Sequence, residues 1–516
     1  MESHTLITAL QNRAIYDHTV SKFELIETHC AWVLLTGDYA YKIKKPLNLG
    51  FLDFSTVAKR RHVCEEELRL NRRLAAPLYL EVVAITGSQE APQLNGQGKV
   101  IEYAIKMRQF ERGMTFDLLI KQGGLTTDHI DELATRVATF HQSLEGAAHD
   151  TLFGSPAAIR QPMVANFSQL TTTLPDNVEQ HQLKQLQQWT EDELTRLTPL
   201  LASRKEAGFI RECHGDLHLA NVTCYQNEVM LFDCLEFSPE LRWIDQVSDI
   251  AFMIMDLDAH QRSDLGFRFL NAWLQQSGDY DGLPLLRLYL VYRAMVRAKV
   301  AAIQHQQQAD AGQLQQCQRY LELAASYTKR LTTPLMITHG LSGSGKSAIT
   351  QLILEALGAV RVRSDVERKR LHGLHFDARS KSPVGKALYT ATAGEATYQR
   401  LATVAATTIA SGYPVIIDAT FLKQQQRQQF RNAADKLGVP FVILHFHAAE
   451  ALLRQWIIER NEKGDDPSEA DLSVLQHQME TQEPLNRNEL LNTVTVNSGM
   501  EIDIPYLCQQ IQSHLR

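Results

Sequence analysis

Polar and apolar positions change rhythm along this chain. In the first hundred residues, short β-rich runs surround one helical stretch. Trp32–Leu35 and Tyr39–Lys45 read as strands, and Thr36-Gly37-Asp38 between them reads as a hairpin turn. Ser55 to Ala75 has neither Gly nor Pro and carries Val57, Val63, Leu68, Leu70 and Leu74, which predicts a helix. Val82–Ile85 and Val100–Met107 predict further strands. From Thr126 to about Arg330 the pattern is mostly helical, except for Phe209 to Phe237, a run of short strands and loops. The Gln-rich stretch His305–Arg319 leads into a helical rhythm set by Leu314, Tyr320 and Leu321, so it reads as a solvated helix.

Leu331-Thr-Thr-Pro334 breaks the chain. Beyond it, Leu335–Thr338, Val360–Val362, Pro414–Ile417 and Phe441–Phe446 are short apolar strands, each followed by a helical segment. That alternation predicts a parallel sheet with crossover helices. The expected boundary lies near residue 332. It separates a domain of residues 1–330, with lobes of about 1–110 and 111–330, from one of residues 333–516.

Composition narrows the class. A chain of 516 residues exceeds one ordinary core. With 44% hydrophobic and 22% charged residues, disorder is not its main state. The 52 basic and 59 acidic side chains leave a net charge of −7. That is no whole-chain field for nucleic acid, although a local basic patch stays open. Seven scattered cysteines without a CxxC argue against a disulfide framework or zinc site and point to a reducing cytoplasm. Met-Glu-Ser-His-Thr begins no signal peptide, and the most apolar run, Ile250–Leu257, is broken by Asp256, so no membrane span is expected.

Gly340-Leu-Ser342-Gly343-Ser344-Gly345-Lys346-Ser347 fits G-x-x-x-x-G-K-[ST], the phosphate-binding P-loop. In such a loop the backbone N–H groups turn onto a phosphate and the following helix adds its positive end. Lys346 would neutralise β/γ oxygens, and the Ser347 hydroxyl would ligate Mg²⁺. Val415-Ile-Ile-Asp418 places a carboxylate where it can hold the Mg²⁺ shell, or simply cap a strand–helix junction. Ala419 and Thr420 follow, where a hydrolytic motor would carry a Glu, so transfer to another acceptor is favoured. Asp365, just past the second strand, is a candidate base for an attacking hydroxyl, or a helix cap; Arg363, Ser364, Arg368 and Lys369 flank it. Arg454 and Arg460 lie on a helix running into Asn461–Pro467, a pattern that suits a lid over phosphates. Arg427 and Arg431 are candidates of the same kind.

The first domain carries a second constellation. His214-Gly-Asp216-Leu-His-Leu-Ala-Asn221 fits H-x-D-x-x-x-x-N, and Leu231-Phe232-Asp233 follows at the separation of a hairpin. Upstream, Lys42 and Lys44 share one face of a strand, and Glu65, Glu66 and Glu67 sit on the next helix. Lysine strand, glutamate helix, catalytic loop and metal Asp is the order of a eukaryotic-type kinase fold. Lys42 or Lys44 would then bind α/β-phosphate oxygens, steadied by Glu67. Asp216 would deprotonate the acceptor hydroxyl, and Asn221 and Asp233 would hold Mg²⁺. His214 is expected to brace the loop, Asp249 to anchor it through backbone N–H groups, and His141 and His218 to be structural.

On these motifs, residues 333–516 resemble the small P-loop kinases related to gluconate kinase, polynucleotide 5′-hydroxyl kinase and zeta-toxin-like kinases, a group called AAA-domain kinases. GLSGSGKS, RSD before ERKRL, VIIDATF and LLRQWIIERN carry the likeness. Residues 1–330 resemble the aminoglycoside phosphotransferase-like kinases, which include choline- and homoserine-kinase-type enzymes, through HGDLHLAN. Two departures stand out. Asp233 precedes Cys234-Leu-Glu236-Phe rather than Phe-Gly, and the Thr36-Gly37-Asp38 turn carries one Gly where protein kinases have three. The resemblance implies a bilobal α+β protein-kinase-like domain fused to an α/β P-loop domain. It further implies ATP, Mg²⁺ and a small-molecule hydroxyl acceptor. Two other readings compete. One is a nucleotide-sensing regulator. The other is a polynucleotide 5′-hydroxyl kinase using Arg361, Arg363, Arg368, Lys369 and Arg370, against which the net charge counts.

Overall fold

The computed structural model describes residues 2–48, 52–174, 178–308, 311–330, 332–378, 390–463 and 467–515. Six strands form the first sheet: β1 (Glu24–Glu27), β2 (Ala31–Leu35), β3 (Tyr39–Lys44), β4 (Tyr79–Gly87), β5 (Pro92–Leu94) and β6 (Val100–Arg108). Their order is β1-β2-β3-β6-β4-β5, antiparallel throughout, with β3 in the interior of the sheet. The period of two sorts β3 cleanly. Tyr41 and Ile43 enter a core with Leu6, Trp32 and Ile85, while Ala40 on the opposite face packs with Cys64 and Met107. Lys42 and Lys44 share that second face with Ala40. The helix Val57–Ala75 covers it, started by Thr56, whose side chain accepts the Lys59 N–H.

Short elements follow: β7 (Ile210–Glu212) pairs with β10 (Trp243–Asp245), and β8 (Val222–Tyr225) pairs with β9 (Glu228–Leu231). Gln226 and Asn227 turn the β8–β9 hairpin with φ of 53° and 64°, the backbone a tight hairpin turn requires. The register sets Val222 opposite Leu231, so Asn221 and Phe232 meet, and the Phe232 N–H donates to the Asn221 carbonyl at 3.0 Å.

The second sheet holds β11 (Leu335–His339), β12 (Val360–Arg363), β13 (Val415–Asp418), β14 (Phe441–His447) and β15 (Thr493–Asn497). Its order is β12-β13-β11-β14-β15, parallel at every pairing. All five residues of β11 are buried, as a strand covered on both faces requires. Met336, Ile353, Val442 and Val494 build the core on one of those faces. The fifth strand was not read from the sequence, because Thr493-Val-Thr-Val-Asn497 alternates at an edge instead of forming an apolar run.

By contact the chain divides into two compact units, Met1–His129, Thr139–Met163 and Thr198–Asp256 in one, and Ile130–Ala138, Val164–Leu197 and Leu257–Arg516 in the other. The helix Ser263–Ser277 therefore packs with the parallel sheet. Arg268 reaches Glu355 at 2.8 Å, and Asn271 bonds the Ala359 carbonyl at 2.9 Å and the Arg361 N–H at 2.6 Å. The Leu331–Pro334 break marks where the chain changes texture, which differs from where its contacts change partners.

Candidate active sites

In the first unit, Lys42 lies between two carboxylates. Its Nζ donates to Glu67 Oε1 at 2.8 Å and to Asp233 Oδ1. Lys44 is paired deeper, with Glu67 Oε2 and Glu236 Oε1, each at 2.5 Å. Glu67 thus serves both lysines, while Lys42 touches Asp233 and Lys44 touches Glu236. Glu65 and Glu66 pair elsewhere, with Arg61 and with Arg69 and Arg242. Burial alone would drive the Lys42 ammonium down, but Asp233 and Glu67 outweigh it and hold the group well above its ordinary value. Burial likewise opposes the Asp233 carboxylate, which Lys42 and Lys44 hold below its usual range. Glu236 is the exception, because burial outweighs Lys44 and pushes it up.

Asp233 sits at φ 61°, a conformation side-chain-bearing residues rarely adopt. Its backbone is clamped on both sides. The Asp233 N–H donates to Tyr79 Oη at 3.2 Å, and the Cys234 N–H donates to Asn71 Oδ1 at 2.9 Å. Asn71 stands one turn beyond Glu67, so one helix positions both the lysine and the aspartate loop. Asn221 Nδ2 donates to Asp216 at both the carbonyl (3.0 Å) and Oδ2 (3.1 Å). That leaves the Asn221 side-chain oxygen, the donor type a hard cation takes. Asp249 accepts the N–H groups of His214 and Gly215 at 3.1 and 2.9 Å and meets His141 Nε2 at 3.1 Å. His214 Nε2 meets the Phe232 carbonyl at 2.9 Å, and burial pushes this imidazole down, toward its neutral form. His218, expected to be structural, has Nε2 3.4 Å from Asp216 Oδ2.

The Thr36-Gly37-Asp38 turn, compared by sequence with the glycine-rich loop of protein kinases, is not the turn beside the lysines. Thr36-Gly37-Asp38 precedes Tyr39 and lies at the far end of β3 from Lys44. The turn beside the lysines joins β1 to β2 and is Thr28-His29-Cys30, since Ala31 pairs with Lys44 and the Lys45 N–H donates to the Cys30 carbonyl at 2.8 Å. It contains no glycine. Thr28 Oγ1 closes it with two 3.0 Å bonds to Ala31.

In the second unit, a cleft of about 1210 Å³ opens over the carboxyl ends of the parallel strands. Ser342 to Ile349, Asp365, Arg368, Asp418, Trp456 and Arg460 are among its lining. Gly340 and Gly343 are needed for shape. At φ 151° a Cβ on Gly340 would stand 2.4 Å from the Phe446 carbonyl oxygen, and at φ 81° one on Gly343 would stand 2.8 Å from that of Leu453. The Lys346 ammonium turns back on the loop, donating to the carbonyls of Gly340 (3.0 Å) and Leu341 (2.7 Å) and to Ser344 Oγ (3.3 Å). Burial pushes it down to about 8, with Asp418 opposing. Ser347 Oγ donates to Asp418 Oδ2 at 2.7 Å. A cradle no side chain can fill, a buried cation held mainly by neutral oxygens and a hydroxyl–carboxylate pair beside it fit a polyphosphate with a divalent ion.

Asp365 lines the cleft and is paired with Arg363 at 3.2 and 2.8 Å. Burial opposes its charge, but Arg363 holds it low. Arg454 and Arg460 part company: six residues is about one and two-thirds turns. Arg460 lines the cleft and donates to the Ala470 carbonyl at 2.5 Å, while Arg454 is not among the lining residues and pairs with Glu450 at 2.8 Å. Trp456, four residues before Arg460 on the same face, was legible by that spacing and was missed. The lid loop expected after Arg460 lies partly outside the described residues, at 464–466. Arg427 is a buried staple to Glu489, and Arg431 pairs with Asp435. The basic cluster is largely consumed internally: Arg361 by the Ser347 carbonyl, Arg363 by Asp365, Lys369 by the Pro467 carbonyl, and Arg370 by Glu367. Of the five, Arg368 faces the cleft.

Fold and sites together describe a chain with a lysine strand, glutamate helix and aspartate loop converging in one unit and a P-loop on a parallel sheet in the other. Residues 335–485 match the family model described as an AAA domain. The chain belongs to one family with the uncharacterized protein Rv2004c of Mycobacterium tuberculosis, to which it is 30% identical over 411 residues, 79% of this chain and 80% of the relative. Among solved structures it is similar to a gluconokinase from Sinorhizobium meliloti (25% identity, 36% of this chain and 93% of that one, TM-score 0.24). It is also similar to a choline kinase from Cryptosporidium parvum (13% identity, 63% and 94%, TM-score 0.38). No helix among the described residues is long and apolar enough to cross a membrane.

Proposed function

We propose that this protein is an ATP- and Mg²⁺-dependent phosphotransferase with two separate nucleotide sites, each transferring to a hydroxyl of a small molecule. The observation that carries this reading is the recurrence, in two unrelated folds, of one chemical set: a buried lysine beside oxygen ligands suited to a divalent ion. The sets are Lys42 with Asn221 and Asp233, and Lys346 with Ser347 and Asp418. Bound Mg²⁺ would neutralise charge on the transferring phosphoryl group. The chain's own residues do the rest. Lys42, held by Glu67, presents its charge to inner phosphates. Asp216, oriented by Asn221, takes the acceptor proton. In the P-loop cleft, Lys346 exchanges neutral carbonyls for phosphate oxygens, Arg460 and Arg368 flank the outer end, and Asp365 is the base.

Acceptor-dependent ADP release from the purified full-length protein, given ATP, Mg²⁺ and a panel of sugars, amino alcohols and nucleosides, tests this. Lys346→Ala and Asp216→Asn should each abolish one activity. If neither substitution alters any turnover, the reading fails. A nucleotide-sensing role for the first unit is the second reading, favoured by the glycine-free Thr28-His29-Cys30 turn. Tight ATP binding without acceptor-dependent turnover at that unit would establish it.

A further inference from the structure

The phosphate loop is not wholly open. The Ser342 N–H donates to Gln478 Oε1 at 2.9 Å, and both residues line the cleft. Only the oxygen end of an amide can meet an N–H, so the orientation of Gln478 is fixed by its partner. Among the described residues, this is the loop amide bonded to a side chain from another helix.

That helix, Leu472–Thr481, is anchored at both ends. Asp471 caps it by accepting the Val474 N–H, and Lys423 Nζ donates to the Thr481 carbonyl at 2.7 Å. Leu475 is buried with Leu453 and Ile457, and Leu341 of the phosphate loop packs against the same cluster. Gln478 is therefore held over the loop by a fixed backbone, and only its side chain is free to move.

Ser342 stands four residues before Lys346, whose ammonium in such a loop reaches the β/γ oxygens. We propose that the Ser342 amide faces the outermost phosphate and that Gln478 is a specificity-determining residue that stands in for the γ-phosphate. Its amide oxygen satisfies the Ser342 N–H until a triphosphate arrives, and the anionic oxygen then displaces it. A charged acceptor makes a hydrogen bond about twice as strong as a neutral one, so the γ-phosphate wins the exchange. A diphosphate does not reach Ser342 and leaves Gln478 in place. This inference rests on the reading of the cleft as a nucleotide site.

The test uses full-length protein with Mg²⁺ and compares calorimetric binding of ADP and of AMP-PNP at the site lost in Lys346→Ala. Gln478→Glu strengthens the competitor and adds repulsion, and should weaken AMP-PNP by roughly tenfold or more. Gln478→Met removes the competitor and should tighten AMP-PNP by about threefold. ADP should stay within about twofold of wild type in both, because it does not meet this group. The two variants are read separately, so a folding failure in one leaves the other. Equal shifts for both nucleotides, or none, overturn the proposal while leaving the nucleotide site standing. Binding of both nucleotides that is unchanged in Lys346→Ala removes the site itself, and the proposal with it.

Discussion

At Lys346 the lowered proton affinity and the surrounding carbonyls have one cause: a buried cation solvated mainly by neutral groups. An arriving phosphate would supply the missing charge and raise the ammonium back toward its usual range. Since the free group titrates near 8, nucleotide binding at pH 8 should take up a fraction of a proton, and binding at pH 6 should take up almost none. Calorimetry in buffers of different ionisation enthalpy measures the uptake, and it should vanish in Lys346→Ala. Asp249 predicts differently, because its charge is spent inside the protein. It is fully buried and accepts two backbone N–H groups of the catalytic loop. Asp249→Ala leaves both donors unmet and should cost about 3 kcal/mol of stability in denaturant unfolding, together with the activity that depends on Asp216. Lys346, Ser347 and Asp216 were legible as candidates because they stand at fixed positions in sequence motifs. Gln478 was not: it comes from a distant helix and carries no motif, so nothing local marks it.

Two elements do most of the positioning. The helix Val57–Ala75 sends Glu67 to the lysines and Asn71 to the Cys234 N–H, so one rigid rod sets the distance between Lys42 and the Asp233 loop. The turn after β11 works by exclusion of side chains. A Cβ at Gly343 would meet the Leu453 carbonyl at 2.8 Å and Ile457 Cγ1 at 2.9 Å, on a backbone of φ 81°. Gly343→Val should therefore abolish Lys346-dependent nucleotide binding. Nucleotide binding at the Lys42 site should remain unchanged, measured by titration of the same sample. Strand and helix identities were readable here because periods of two and 3.6 survive in the sequence. The turn at the Lys44 end of β3 has no glycine to mark it in the sequence, and only strand pairing, with Ala31 opposite Lys44, brings Thr28–Cys30 to that end. Arg454 was misplaced because sequence proximity to Arg460 hides the helical rotation between them.

For the molecule as a whole, the proposed function requires two nucleotides per chain. Native mass spectrometry with Mg²⁺ and AMP-PNP should count two bound nucleotides in the wild type and one in Lys346→Ala. A count of one in the wild type would contradict the two-site reading. Sequence alone determined the two fold classes, the Gly340–Ser347 loop, the His214–Asn221 loop and most of the strands, because these depend on residue type at fixed local spacing. Tertiary structure decided the rest: which lysine touches Asp233, which arginine enters the cleft, and that residues 257–330 fall in the same compact unit as the parallel sheet. Those outcomes depend on which surfaces meet in space. Spacing along the chain does not encode that meeting, and packing, with the pairing of buried charges, resolves it.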